Sequence, residues 1–304
     1  MSTEPDGILR PGGEAAANVT YSGVTDEAGS TIGAQIAAAR ALGWNSIELR
    51  SVGGAPIAAL ADEEFDRLLA ALAEAEISVC CVDSAIANWA RPITGSFDED
   101  LAELKVLERR CAALGTRYVR VMSYPNDGLP EEEWGAQVRE RMGVLARRSE
   151  SAGLVLLHEN CAGWAGTSAS RMLDLLSSVN SPALRLLFDT GNGVAYGYDS
   201  LTLLNGIIGY VKHVQIKDAV GDETSATYTM PGEGDCRVAE CLRLLICNGY
   251  SGVWSIEPHM SVRPHERQLP GDGSEQFDQF VSYGERLMRL VREDVLSRPD
   301  SRER

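Results

Sequence analysis

One rhythm constrains this chain more than any other feature. A short apolar, β-branched run is followed by a segment of helical period, and the pair recurs eight times. The runs are 19–25, 46–50, 77–82, 118–122, 154–159, 184–189, 211–216 and 253–257. Helical segments are predicted at about 31–42, 62–76, 98–114, 131–152, 168–179, 199–210, 237–248 and 274–293. In 62–76, Phe65, Leu68, Leu69 and Leu72 recur at helical spacing behind Asp62 as N-cap. Leu101, Leu104, Leu107, Cys111 and Leu114 do the same behind Asp98. Gly43, Gly115, Gly153 and Gly249 stand where a helix should end in a left-handed residue before the next strand.

Strands separated by helices require parallel pairing with right-handed crossovers. Eight such units match a single-domain α/β fold, the (β/α)8 TIM barrel. A doubly wound open sheet is the rival, weakened because no glycine-rich phosphate fingerprint follows the first strand. The expected boundaries are an N-terminal tail at 1–18, the barrel at 19–293 and a C-terminal tail at 294–304.

Composition narrows the function. With 44 acidic residues against 28 basic ones the formal charge is −16, which disfavours a nucleic-acid partner. No apolar run approaches the ~18 residues of a membrane helix. The start of the chain lacks the basic-then-apolar order of a secretory signal. Seven cysteines without CxxC spacing fit a reduced, cytoplasmic chain. Only three lysines occur, Lys105, Lys212 and Lys217.

In a (β/α)8 barrel the active site lies at the C-terminal ends of the strands. Strand five ends in His158-Glu159-Asn160, strand six in Phe188-Asp189-Thr190-Gly191-Asn192, and strand eight in Ser255-Ile256-Glu257-Pro258-His259. Glu159, Asp189 and Glu257 should therefore converge. Carboxylates pressed together repel unless a proton or cation sits among them. A divalent metal answers this, and hard oxygen donors point to Mn²⁺ first, with Mg²⁺ or Co²⁺ compatible.

Alternation on strand seven puts His213, Gln215 and Lys217 on the inward face. Either Gln215 or His213 supplies the fourth ligand, and depth favours Gln215. Lys217 is placed to hold a substrate oxygen. Trp89 and Arg91, after strand three, are expected on the pocket wall, where an indole stacks on a sugar face and a guanidinium grips oxygens. Asn160, Asn192, His213 and His259 are expected to hydrogen-bond substrate. Glu48 and Arg50 read as a structural ion pair, and Pro231-Gly232-Glu233-Gly234 as a loop shaped by its backbone.

The set DEAGS, ALGWNSIELR, LHEN, FDTGN, HVQIKD, PGEGD and SIEPH resembles the sugar phosphate isomerase/epimerase-like proteins of the xylose isomerase-type TIM barrel superfamily, from about residue 20 to 292. The resemblance implies one divalent metal held by Glu159, Asp189, Gln215 and Glu257. It also implies proton transfer through an enediolate with Glu159 and Glu257 as acid/base pair, on a sugar or polyol ketone. Isomerisation or epimerisation is the leading expectation. The alternative is a dehydratase of inosose or dehydroshikimate type. A phosphodiesterase acting at abasic sites, or a non-catalytic barrel, ranks below both. The expected partner is a small sugar or polyol, with neither nucleic acid nor membrane; monomer and homodimer are both compatible.

Overall fold

The computed structural model describes residues 19–260 and 274–297. Its eight parallel barrel strands are β1 Thr20–Gly23, β2 Ser46–Leu49, β3 Ser78–Asp83, β4 Tyr118–Ser123, β5 Val155–Gly163, β6 Leu184–Asp189, β7 Val211–Ile216 and β8 Val253–Ile256. Each strand pairs with its sequence neighbour, and β8 pairs with β1. The ring closes between β1 and β2 through a single parallel bridge, Val24 to Glu48. The (β/α)8 expectation holds, and the rival open sheet is excluded.

The outer layer is α1 Ile32–Ala41, α2 Asp62–Ala75, α3 Phe97–Leu114, α4 Glu131–Ser151, α5 Ala169–Val179, α6 Ser200–Ile207, α7 Val238–Cys247 and α8 Ser274–Leu290. The four glycine stops take φ of +71°, +73°, +73° and +78°, the left-handed conformation that lets a helix end and the chain turn back into the sheet. Two N-caps differ from expectation. Asp62 is the first helical residue of α2, and the Ala61 N–H donates instead to the Glu64 carboxylate at 3.1 Å. On α3 the cap position is Ser96, and Asp98 joins the acidic first turn, where the helix dipole favours it.

Apolar helix faces pack on the outside of the strands to form the main core. A smaller cluster of Cys81, Leu157 and Leu187 is separate from it. Those three residues share strand faces with Asp83, Glu159 and Asp189, so a thin apolar floor lies under a charged layer at the barrel mouth. The N-terminal tail 1–18 and the C-terminal residues from 298 onward lie outside the described residues. The expected start of the C-terminal tail is too early, because the chain continues helically through Val291–Val295 and Val295 is buried. All seven cysteines are free thiols. No helix among the described residues is long and apolar enough to cross a membrane.

Packing between β1 and α8 leaves no room at Gly23, where an added Cβ would lie 2.5 Å from the Phe280 ring and 2.9 Å from Ile256. Gly209 has open space at the same atom. Gly23→Ala should destabilise the fold by about 1–3 kcal/mol through overpacking. Gly209→Ala should stay within about 0.5 kcal/mol. Urea unfolding midpoints check the pair, and equal midpoints would contradict this packing.

Candidate active site

A cavity of about 750 Å³ opens at the C-terminal ends of the strands, within the range of small-molecule sites. Glu159, Lys217, Glu257, Asn192, His259 and Trp89 line it, as expected for the site. Glu159, Asp189 and Glu257 are buried and present carboxylate oxygens within 4.8 Å of one another. The convergence read from three separate strand ends is therefore real.

The loop after β6 is what aims Asp189. Its Oδ1 accepts from the Gly191 and Asn192 N–H groups at 2.7 and 3.2 Å, while Oδ2 faces Lys217 Nζ at 2.8 Å. Gly191 is required there because a Cβ would overlap the Lys217 side chain and backbone. The Asn192 amide donates to Glu159 Oε1 at 2.8 Å. Lys217 Nζ also donates to Glu257 Oε2, so one ammonium bridges two carboxylates. Burial alone would lower the Lys217 pKa, but Asp189, Glu257 and Glu159 raise it well above its ordinary value.

Further charged neighbours surround these groups. Arg50 binds Asp26 in two-pronged fashion at 3.1 and 2.8 Å, reaches Glu27 at 3.2 Å, and donates to Glu257 Oε1 at 2.5 Å. It lines the cavity, so the Glu48–Arg50 pair expected from sequence is not formed. Glu48 instead meets His213 Nε2 at 2.9 Å. Burial would raise the Glu48 pKa, but the charge and hydrogen bond of His213 dominate and hold it at about 2. Arg120 lies between Asp83 at 3.5 Å and Glu159 at 3.6 Å. A lone arginine in the otherwise apolar β4 run was the one signal for this position.

Carboxylates outnumber cations here. Asp26, Glu27, Asp83, Glu159, Asp189 and Glu257 are buried around Arg50, Arg120 and Lys217, with Glu48 one layer below against His213. Burial pushes Asp189 up to about 7 against the pull of Lys217, with Glu257 and Glu159 adding repulsion. Burial likewise lifts Glu27 to about 8 despite Arg50. Glu257 goes the other way: Lys217, His259 and Arg50 overcome burial and hold it well below the usual carboxylate range.

This donor set fits a divalent ion. Gln215 pairs in register with Asp189 and with Ser255, two residues before Glu257. Its Nε2 donates to Glu48 at 3.1 Å and Asp83 at 3.4 Å, which fixes the amide, while its Oε1 is buried without a hydrogen-bond partner. An orphaned amide oxygen beside three carboxylates is the arrangement a hard cation satisfies.

Three expected substrate contacts lie elsewhere. Arg91 is spent on Asp100 at 2.5 Å and Glu103 at 2.6 Å, pinning the loop after β3 to α3 rather than lining the cavity. Asn160 bridges β5 to β6, accepting from Asp189 N at 2.6 Å and donating to Asp189 O and Tyr198 Oη. His213 sits one layer below Gln215, with Glu48. His259 does reach the cavity, stacked against Tyr228, and its backbone N–H donates to Glu27 at 2.8 Å. The Pro231–Gly234 turn is shaped by its backbone as expected: Asp218 accepts from the Gly232 and Gly234 N–H groups at 2.8 and 3.0 Å.

The sequence matches the xylose isomerase-like TIM barrel family over residues 36–278, and the chain belongs to that family. Among curated proteins it is similar to the inosose dehydratase of Clostridium perfringens, 27% identical over 146 residues, covering 42% of this chain and 48% of that one. The chain thus spans about half the length of the curated relatives it matches. Solved structures share the fold. The IOLI protein with a bound zinc atom superposes with TM-score 0.71 at 18% identity, covering 91% of this chain and 98% of that one. A probable 3-DHS dehydratase from Bacillus anthracis gives 0.67 at 13% identity, covering 87% and 98%. A 3-keto-D-glucoside 4-epimerase from E. coli gives 0.65 at 15% identity, covering 90% and 99%.

The Lys217 ammonium neutralises two of the three converging carboxylates, Asp189 and Glu257, and so would compete with an added cation there. Removing one member of a buried ionic group leaves an uncompensated charge worth ~3–5 kcal/mol. Lys217→Met should lower the melting temperature of metal-free protein and tighten Mg²⁺ or Mn²⁺ binding in calorimetry. Unchanged metal affinity would contradict the competition.

Proposed function

We propose that this protein is a divalent-metal-dependent lyase that removes water from a polyhydroxylated ketone. The observation that carries the reading is the asymmetry of the two glutamates. Glu257 has both oxygens engaged by cations, Arg50 on one and Lys217 on the other. Glu159 accepts one hydrogen bond, from Asn192, and has Arg120 at 3.6 Å. A two-base epimerisation wants a proton acceptor on each side of the carbon, and a carboxylate clamped by two cations is a poor one. One carboxylate less tightly held by cations, with one ammonium nearby on Glu257, fits elimination better.

The residues then divide the work. Glu159 takes the proton from the carbon beside the ketone. Lys217 delivers a proton to the departing β-hydroxyl, so that C–H and C–O bonds break, a C=C bond forms and water leaves. The proton passes back from Glu159 to Lys217 through solvent after product release. Arg50 holds Glu257 in place and Asn192 orients Glu159. Glu159, Asp189, Gln215 and Glu257 would hold the metal, which when bound supplies Lewis-acid polarisation of the ketone and its neighbouring hydroxyl. The oxygen-rich donor set favours Mn²⁺ or Mg²⁺, and the zinc held by the IOLI protein supports a divalent ion in this fold. Names among the relatives, inosose dehydratase and 3-DHS dehydratase, support the reaction class.

Isomerisation or epimerisation is the second reading. It rests on Glu159 and Glu257 lying within 4.8 Å of a shared third carboxylate, close enough to serve one substrate carbon. The two part in one assay: metal-loaded protein with a keto-inositol or a ketohexose, followed by ultraviolet absorbance and by mass spectrometry in D₂O. A lyase yields conjugated-enone absorbance and a product lighter by one water. Deuterium in an epimer or isomer without loss of water would overturn the lyase reading. Glu159→Gln should cut kcat by roughly 10²–10⁴-fold while the fold is kept.

A further inference from the structure

We infer that Glu48 is a positioning residue for the metal site: with Asp83 it holds the Gln215 amide in the one orientation that presents its oxygen, not its NH₂, to an incoming cation. The inference rests on the metal site of the activity proposed above, but not on the lyase chemistry. Glu48 is fully buried and does not line the cavity, so any influence it has on a bound ion passes through another residue.

Glu48 stands on β2, where its backbone makes the bridge to Val24 that closes the ring. Its side chain crosses the barrel interior to β7. There Oε2 meets His213 Nε2 at 2.9 Å, and Oε1 accepts from Gln215 Nε2 at 3.1 Å. Asp83 Oδ2, from the end of β3, accepts from the same Gln215 nitrogen at 3.4 Å. All four side chains are buried.

A primary amide has two ends of nearly equal size and opposite character, an oxygen that accepts and an NH₂ that donates. Shape does not choose between them; hydrogen-bond partners do. Beside His213, the ionised Glu48 carboxylate only accepts. Turned around, the amide would set oxygen against Glu48 Oε1 and leave that oxygen without its donor. In the observed orientation the NH₂ serves Glu48 and Asp83, and Oε1 is buried without a hydrogen-bond partner. The mouth carboxylates do not draw the NH₂ away, because they have donors of their own. Asp189 takes the Gly191 and Asn192 N–H groups and Lys217, and Glu257 takes Arg50 and Lys217. His213 engages the second oxygen of Glu48 and so keeps that carboxylate from turning aside. The amide oxygen is therefore aimed before any ion arrives, and it need not be ordered at binding.

The test is a double-mutant cycle read as Mn²⁺ affinity, from the electron paramagnetic resonance signal of the free ion. Glu48→Gln keeps the size of the side chain but offers an NH₂ as well as an oxygen, so both orientations of the Gln215 amide are allowed. It should weaken Mn²⁺ binding by about 10–100-fold in the natural background. Once Gln215→Ala has removed the amide, the same change should cost less than about threefold. Equal losses in the two backgrounds would mean that Glu48 acts through its charge alone, and would overturn the inference; so would unchanged affinity in Glu48→Gln. The natural chain gives a second measurement that needs no variant to fold. In metal-free protein the Gln215 NH₂ protons should show nuclear Overhauser contacts to the Glu48 methylene protons. Contacts to the Lys217 methylenes in their place would overturn the inference. Turnover separates this from the activity proposed above. Full coupling in the cycle with no water lost from a keto-inositol counts against the lyase and leaves the role of Glu48 standing. Dehydration with equal losses in both backgrounds does the reverse, and no saturable Mn²⁺ binding by the natural chain overturns both.

Discussion

The arrangement at the barrel mouth follows from one requirement: buried carboxylates must be neutralised. Asp26, Glu27, Asp83, Glu159, Asp189 and Glu257 sit around the open end of the sheet, with Glu48 one layer below. Two like charges 4 Å apart repel by ~4 kcal/mol even at an effective dielectric of 20. The fold meets this with long cross-barrel cations. Arg50, from the end of β2, ties β1 to the end of β8, and Arg120 on β4 links β3 to β5. Lys217, after β7, joins β6 to β8. The same contacts hold the ring together where its hydrogen bonding is thinnest. Between β1 and β2 the backbone offers a single bridge, and Arg50 with Asp26 and Glu27 spans that seam.

Function grows out of the incompleteness of that neutralisation. Carboxylates left in excess, with the unsatisfied Gln215 oxygen beside them, make a donor set for a doubly charged ion. Unequal sharing of the three cations then separates the roles of chemically identical side chains. Glu257, clamped on both oxygens, is held ionised in a fixed place. Glu159, with a single hydrogen bond from Asn192 and Arg120 at 3.6 Å, is less tightly paired, which suits the base proposed for it. Environment rather than residue type assigns the task.

Much of this is legible in the sequence. The eight strands, eight helices and four glycine stops are encoded locally, in periodicity and in residues that tolerate positive φ, and local signals survive folding. Glu159, Asp189, Glu257 and Lys217 were legible because a parallel barrel brings all strand ends to one rim. The bracing residues were not. Arg50 and Glu257 are 207 positions apart, and nothing in either neighbourhood announces the partner. Asp26 and Glu27, in the short turn after β1, belong to the DEAGS motif, but that motif does not say that they hold Arg50. The misplacements have the same origin. Asn160 and Arg91 carry groups suited to holding substrate, but those groups are satisfied within the protein, by the Asp189 backbone and by the acidic start of α3. Side-chain chemistry states what a residue can bind; only the surrounding structure states what it has already bound.

The central claim is that the strand-end carboxylates form a divalent-metal site rather than a self-contained ionic brace. Counting Mn²⁺ bound at equilibrium, from the electron paramagnetic resonance signal of the free ion, tests this most directly. The account predicts one tightly held ion per chain, lost in Asp189→Asn, which removes the charge of a ligand but keeps an oxygen at its place. No saturable binding by the natural chain, or binding that Asp189→Asn leaves unchanged, would contradict it.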